Sequence, residues 1–244
     1  MSRPVLRIAL ALLTLSAATA QAQPTTWTRS YWKVYNTANN PDFQTGIDGG
    51  RVNGLVQSSL SAGFTPVRTA FAATRATGSG SISQVNGGGE LNWWSVGTDR
   101  VADGSPTSIA FGDIHQPSNF FPTGHGNNSQ AFRTARWSGT WTALAPTLFS
   151  GSLEADDDAW LFINGQLVLD NGGVKAMGHP TTVSNFLVNA GSNRIDLFFA
   201  DRNTVQSGIK FTQNFTTVPE PSTYALLGTG FAVLVGVARR RRQA

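Results

Sequence analysis

Three adjacent carboxylates, Asp156-Asp157-Asp158, stand directly before the aromatic run Ala159-Trp160-Leu161-Phe162. Neighbouring like charges repel, and placing them against an aromatic strand is costly unless a cation or water screens them. A hard cation does so: Ca2+ takes about 6–8 oxygen ligands at about 2.3–2.6 Å and accepts carboxylates, amide oxygens and backbone carbonyls from irregular loops. Asp156 and Asp157 are the best candidates for direct ligands, with Asp158 beside them; the alternative is a solvated acidic turn at a strand end. Other chemistries find little support. The chain has no cysteine, which excludes disulfides, thiolate-bound zinc, iron–sulfur clusters and a cysteine nucleophile. His115, His125 and His179 show no metal-ligand spacing, and no G-x-S-x-G nucleophile motif occurs. A glycoside hydrolase needs two carboxyl groups about 5–5.5 Å or 6.5–9.5 Å apart across a cleft. Glu90 and Glu154 are the only glutamates between the two chain ends, and the aspartate cluster suits a metal better than a proton relay, so the expectation is a protein without enzymatic activity.

The elements that must hold these aspartates read as β-strands. The 244 residues are 40% hydrophobic and 13% charged, with 26 Gly and 11 Pro, a composition poor in the straight-chain residues that fill helix surfaces. Short apolar or alternating runs separated by Gly, Asn, Asp, Ser and Pro clusters point to an all-β fold, a single β-sandwich spanning residues 25–217. The clearest hairpin is Trp160 to Ile163, then Asn164-Gly165, then Gln166 to Leu169, because Asn-Gly supplies the two positive φ values of a type I′ turn. Both faces of its first strand are apolar, which places it centrally in a sheet. Asn193 to Phe199 alternates, and Ile209 with Phe211 faces inward. Leu91 to Val96 is a further strand candidate, in which one of Trp93 and Trp94 points in and the other out, where a sugar ring could stack on it. The segment from Thr98 to Asn128 is the place for long loops.

The ends carry most of the excess positive charge. Arg3 and Arg7 precede the apolar run Ile8 to Leu15 and two A-x-A cleavage patterns, so residues 1–22 read as a secretory signal peptide. Residues 218–244 begin with Pro219, Glu220 and Pro221, continue through an uncharged segment, 224–238, expected to be transmembrane, and stop at four arginines, 239–242. That span is short and suits a temporary hold on the membrane better than a permanent anchor. The net charge of +4 is therefore misleading. Six basic residues and one acid sit in the ends, leaving twelve bases against thirteen acids in the body, which has no broad basic face for nucleic acid.

The tripartite ending resembles the PEP-CTERM sorting signal of Gram-negative bacteria that make extracellular polysaccharide. That resemblance implies signal peptidase and exosortase as maturation partners, transient membrane contact through the C-terminal helix, and release to the cell surface or matrix. The run Gly151 to Asp170, followed by Gly172-Gly173-Val174, resembles the fibro-slime domain, a relative of the protective-antigen-type β-sandwich. Phe198-Phe199-Ala200-Asp201-Arg202-Asn203 and Ser207 to Phe211 continue the likeness downstream; Asn40-Pro41-Asp42-Phe43, Gly54-Leu55-Val56 and Asn119-Phe120-Phe121-Pro122 do so upstream. The resemblance implies a Ca2+-assisted module for adhesion or for binding extracellular polysaccharide or another glycan, with Asp156 and Asp157, in some relatives joined by a cis peptide, as ligands. Asp158 stands where many relatives have glycine, Lys175 where a histidine is common, and Asp201-Arg202-Asn203 where the family has Glu-Arg-His. Asp201 and Asn203 still offer oxygens and Arg202 can fork onto a carboxylate, which makes the three candidate ligand-binding residues; an Asp201–Arg202 pair that only stabilises the loop is the competing reading. A matrix protein in which calcium merely rigidifies a loop is the alternative function.

Overall fold

The computed structural model describes residues 23–35, 40–43, 49–75, 80–116, 131–203, 206–218 and 221–242. Residues 1–22, expected to be a signal peptide, together with Pro219, Glu220, His125 and the segment 119–122, lie outside the described residues.

Two antiparallel sheets face each other. The larger is built around β1 (Thr26–Tyr35), which pairs with β2 (Arg100–Ala102), β3 (Thr107–Ala110) and β5 (Ala131–Ala143). It continues through β10 (Gly191–Asp201), β7 (Asp158–Ile163) and β8 (Gln166–Asn171). The smaller has the order β4 (Ile114–Gln116), β11 (Gly208–Thr217), β6 (Thr147–Asp156), β9 (Thr181–Val188). Trp27, Trp137, Leu161, Leu197 and Phe199 of the larger sheet meet Phe149, Leu153, Ile209 and Phe211 of the smaller in one apolar core.

The alternation along the strands supplies a second core on the other side of the larger sheet. Trp160, Phe162 and Phe198 point away from the sandwich and pack with Phe43, Leu55, Val56, Trp93 and Trp94, which come from the chain before β2. Every residue of β7 is therefore buried, as its two apolar faces predict. The turn after it has φ of 52° at Asn164 and 77° at Gly165, the pair of positive angles that the Asn-Gly sequence favours.

Two expectations need correction. Leu91 to Val96 forms no strand, only a bridge from Val85 to Leu91, and both Trp93 and Trp94 are buried. The segment folds down as a cover over the exposed apolar face of the larger sheet, so the in-and-out rule of a strand does not govern it. The supposed loop region after Thr98 carries β2, β3 and β4, short edge strands whose four residues or fewer are too brief for a clear period.

The C-terminal segment is a helix, α2 (Pro221–Arg242). No helix among the described residues is long and apolar enough to cross a membrane. The segment 224–238, expected from the sequence to be transmembrane, lies within α2.

The cover is pinned at Gly172-Gly173. Val52 N–H donates to Gly172 O (2.8 Å), and a Cβ on Gly173, whose φ is 104°, would lie 2.1 Å from Gly50 O. Gly165 also has positive φ but open space around it. Gly165→Ala should cost about 1–2 kcal/mol from backbone strain alone. Gly173→Ala should cost about 3 kcal/mol or more, because the cover must shift as well. Urea denaturation of the two variants checks the contrast, and equal losses would mean that the cover is not held there.

Candidate functional site

β6 ends at Asp156 and β7 begins at Asp158, so the chain passes from the smaller sheet to the larger within the three aspartates. The Asp156–Asp157 peptide is cis. The three side chains then part company. Asp158 is fully buried, its Oδ1 accepting from Gly173 N–H and its Oδ2 paired with Arg202 Nη1 at 3.1 Å. Asp157 Oδ1 accepts from Lys175 N–H (3.0 Å), and its Oδ2 accepts from the N–H groups of Arg202 (2.7 Å) and Asn203 (2.9 Å). Asp156 stands at the mouth and lines two adjoining cavities. One, of about 260 Å³, is shared with Asp157, Val174, Lys175, Ala176, Asn203 and Gln206. The other, of about 220 Å³, adds His115, Gln116, Met177, Ser207 and Gly208.

Of the loop residues proposed from sequence, Asn203 alone reaches this cavity. Arg202 is 1% exposed. Its guanidinium donates to Asp42 O (2.8 Å), Gly80 O (3.4 Å) and Ser81 O (2.5 Å) and lies 4.9 Å from the Trp93 ring centre. Asp42 in turn accepts from Ser83 N–H, Gln84 N–H and Trp93 Nε1. Arg202 is thus a clamp between the cover and Asp158. Asp201 is fully buried and lines neither cavity, and Arg202 pairs with Asp158 in place of the expected Asp201. Strand alternation explains the split, since Asp201 closes β10 on the face opposite to its neighbour.

Electrostatically the site is short of positive charge. Burial pushes the Asp156 carboxyl up to about 6, opposed by a hydrogen bond with Asp157 and by the Lys175 charge. Asp157 is raised well above the usual carboxylate range by burial and then by Asp156 and Asp158, against the Arg202 N–H and charge. Asp201 is raised by burial, Asp157 and Asp156. Among the described residues no group of three or more His, Cys, Asp or Glu side chains converges on one point. A cation here would be held by Asp156 and Asp157 together with amide and carbonyl oxygens, a donor set that Ca2+ accepts. Asp158 is taken up elsewhere. Gln206 carries no signal in the sequence, and His115 shows no ligand spacing there, since isolated polar residues have no pattern to betray them.

Residues 217–242 match the family described as the PEP-CTERM protein-sorting motif. The chain carries a PEP-CTERM sorting signal. This signal marks an exported protein and accounts for the order of Pro-Glu-Pro segment, uncharged stretch and arginine stop in the sequence. Elsewhere, protein psiB of Dictyostelium discoideum is 42% identical over 71 residues, 28% of this chain and 12% of that protein. Protein psiE of the same organism is 42% identical over 65 residues, 26% of this chain and 13% of its own length. The chain thus spans about an eighth of these relatives. Among solved structures, the PA14 domain of the MpAFP antifreeze protein is 12% identical, covers 78% of this chain and 83% of that one, and has a TM-score of 0.31. The PA14 sugar-binding domain from an RTX adhesin is also 12% identical, over 80% of this chain and 91% of that one, with a TM-score of 0.29.

The clamp makes a clear prediction. Arg202→Ala leaves the Asp158 carboxylate buried without its partner and should cost about 3–5 kcal/mol. Arg202→Lys, which keeps the charge but not the fork, should lose less. Urea denaturation at neutral pH distinguishes this from a ligand-binding role, in which Arg202→Ala would leave stability nearly unchanged.

Proposed function

We propose that residues 25–217 form a calcium-assisted glycan-binding module of a secreted surface or matrix protein, delivered by signal peptidase and an exosortase. The observation that carries this reading is the Asp156–Asp157 pair lining a cavity whose wall also carries Asn203 and Gln206, with both carboxylates raised. Bound there, Ca2+ would relieve the carboxylate repulsion and offer open coordination positions to sugar hydroxyls. Asp157, fixed by three backbone N–H groups, sets the orientation of the pair. Asp156 closes the cavity, and Asn203 and Gln206 supply amide groups at its wall. Catalysis finds no support in the geometry. Glu90 is held by Asn86, Glu154 accepts from Gly178 N–H, and neither lines a cavity with Asp156. The second reading, in which calcium serves only to stiffen the loops, is favoured by the number of backbone groups that Asp157 and Asp158 already hold.

Calorimetric titration of the purified protein with millimolar Ca2+ and a glycan array with and without chelator test the reading. Ion binding with an ion-dependent glycan signal, both lost in Asp156→Asn, is the expected result. Calcium binding without any glycan signal would favour the stiffening reading, and absence of calcium binding would remove both.

The raised Asp156 carboxyl gives a pH signature. A carboxyl whose folded value lies above its unfolded one contributes stability that is present below about 4 and lost as pH rises through about 6. Without calcium the melting temperature should fall across that window. Calcium should raise it more at pH 7.5 than at pH 5, where Asp156 is protonated and competes poorly for the ion; an equal rise at both would speak against Asp156 as a ligand.

Replacement of Pro219 and Pro221 together should abolish retention at the cell surface. Retention unchanged after removal of residues 224–244 would refute the sorting role.

A further inference from the structure

The sequence holds three lysines, Lys33, Lys175 and Lys210, and Lys175 alone is buried. Its Nζ lies 2.6 Å from Asp157 O, 3.1 Å from Ala155 O, 3.1 Å from Asn171 O and 3.4 Å from Gly173 O. An ammonium has three protons to give, yet four carbonyl dipoles converge on it. They come from separate parts of the fold: the end of β6, the crossover, the end of β8 and the turn that pins the cover. No carboxylate among the described residues forms an ion pair with Lys175, although three aspartates lie nearby. The ammonium hydrogen-bonds to backbone oxygens, in the manner of a carbonyl-lined ion site, while Asp156, Asp157 and Asp158 act on it through space. Three of the four distances exceed the roughly 2.3–2.6 Å of calcium–oxygen contacts and suit a larger monovalent ion.

We propose that the carbonyl oxygens of Ala155, Asp157, Asn171 and Gly173 form a monovalent-cation site that this chain fills with its own Lys175 ammonium, and that removal of the side chain opens the site to ammonium or potassium from solution. The resident cation ties the end of β6, the crossover, the end of β8 and the turn after it together beside the Asp156–Asp157 pair. It places a positive charge there before any external ion arrives. The inference goes beyond glycan recognition and does not depend on it.

Lys175→Ala tests it by chemical complementation. The melting temperature of the variant should rise in ammonium chloride and, to a smaller extent, in potassium chloride, relative to choline chloride of equal ionic strength. The gain should reach about 3–6 °C at ten times the dissociation constant. Wild type, with its site filled, should show no such difference, and neither should Lys175→Met, whose methyl group occupies the cage. An equal response to choline, or an equal response in wild type, overturns the proposal. A measurement on the folded Lys33→Arg/Lys210→Arg protein covers the case in which truncation prevents folding. With nitrogen-15 in its one remaining lysine, an NH3+ signal protected from solvent exchange should be visible at neutral pH, and its absence overturns the proposal equally.

Discussion

Burying charge at the point where the chain changes sheets is the constraint around which this fold is arranged. Each carboxylate taken out of water costs several kcal/mol unless it is paired or fully hydrogen-bonded. Asp157 and Asp158 meet that cost by recruiting N–H groups from both sides, those of Gly173 and Lys175 from the turn after β8 and those of Arg202 and Asn203 from the end of β10. Arg202 then extends the network to Asp42, Gly80 and Ser81. Remove the aspartates and the loops at this end of the sandwich have nothing to converge on.

The cover depends on the same network. A two-sheet sandwich needs apolar side chains on one face of each sheet only, but β7 and β10 carry them on both. The outer set would be an exposed apolar patch if the chain before β2 did not lie over it. That chain has little regular structure of its own beyond a short helix, α1 (Ala70–Thr74). It is held by backbone hydrogen bonds to β8 and its turn and by the Arg202 clamp. Packing and polar network are therefore two parts of a single arrangement, in which the cover buries Trp160 and the clamp fixes the cover.

What could be read from the sequence follows the length scale of the signal. The Asn164-Gly165 hairpin, the central position of Trp160 to Ile163 and the inward Ile209 and Phe211 are local patterns, and each is where its period places it. The cover was illegible because Trp93 and Trp94 have no regular backbone, so their depth is set by distant contacts with Phe198 and Trp160. The site was half legible. Three adjacent aspartates announce themselves, but that one would face a cavity and one a guanidinium depends on where the chain leaves one sheet and enters the next. Lys175 was noticed only as an unusual residue; the four carbonyls around it come from positions up to 20 residues away in sequence, and no spacing rule joins them.

The pairing of β6 with β11 has a mechanical consequence. Their register runs from Asp156 opposite Gly208 to Thr147 opposite Thr217, so the aspartates and the start of the C-terminal tail lie at opposite ends of one ladder. A chain tethered by its tail and gripped at the aspartates is pulled along the strand direction. Its hydrogen bonds then bear the load side by side, in shear, and must fail together, whereas a tether at the aspartate end would let them open one at a time like a zip.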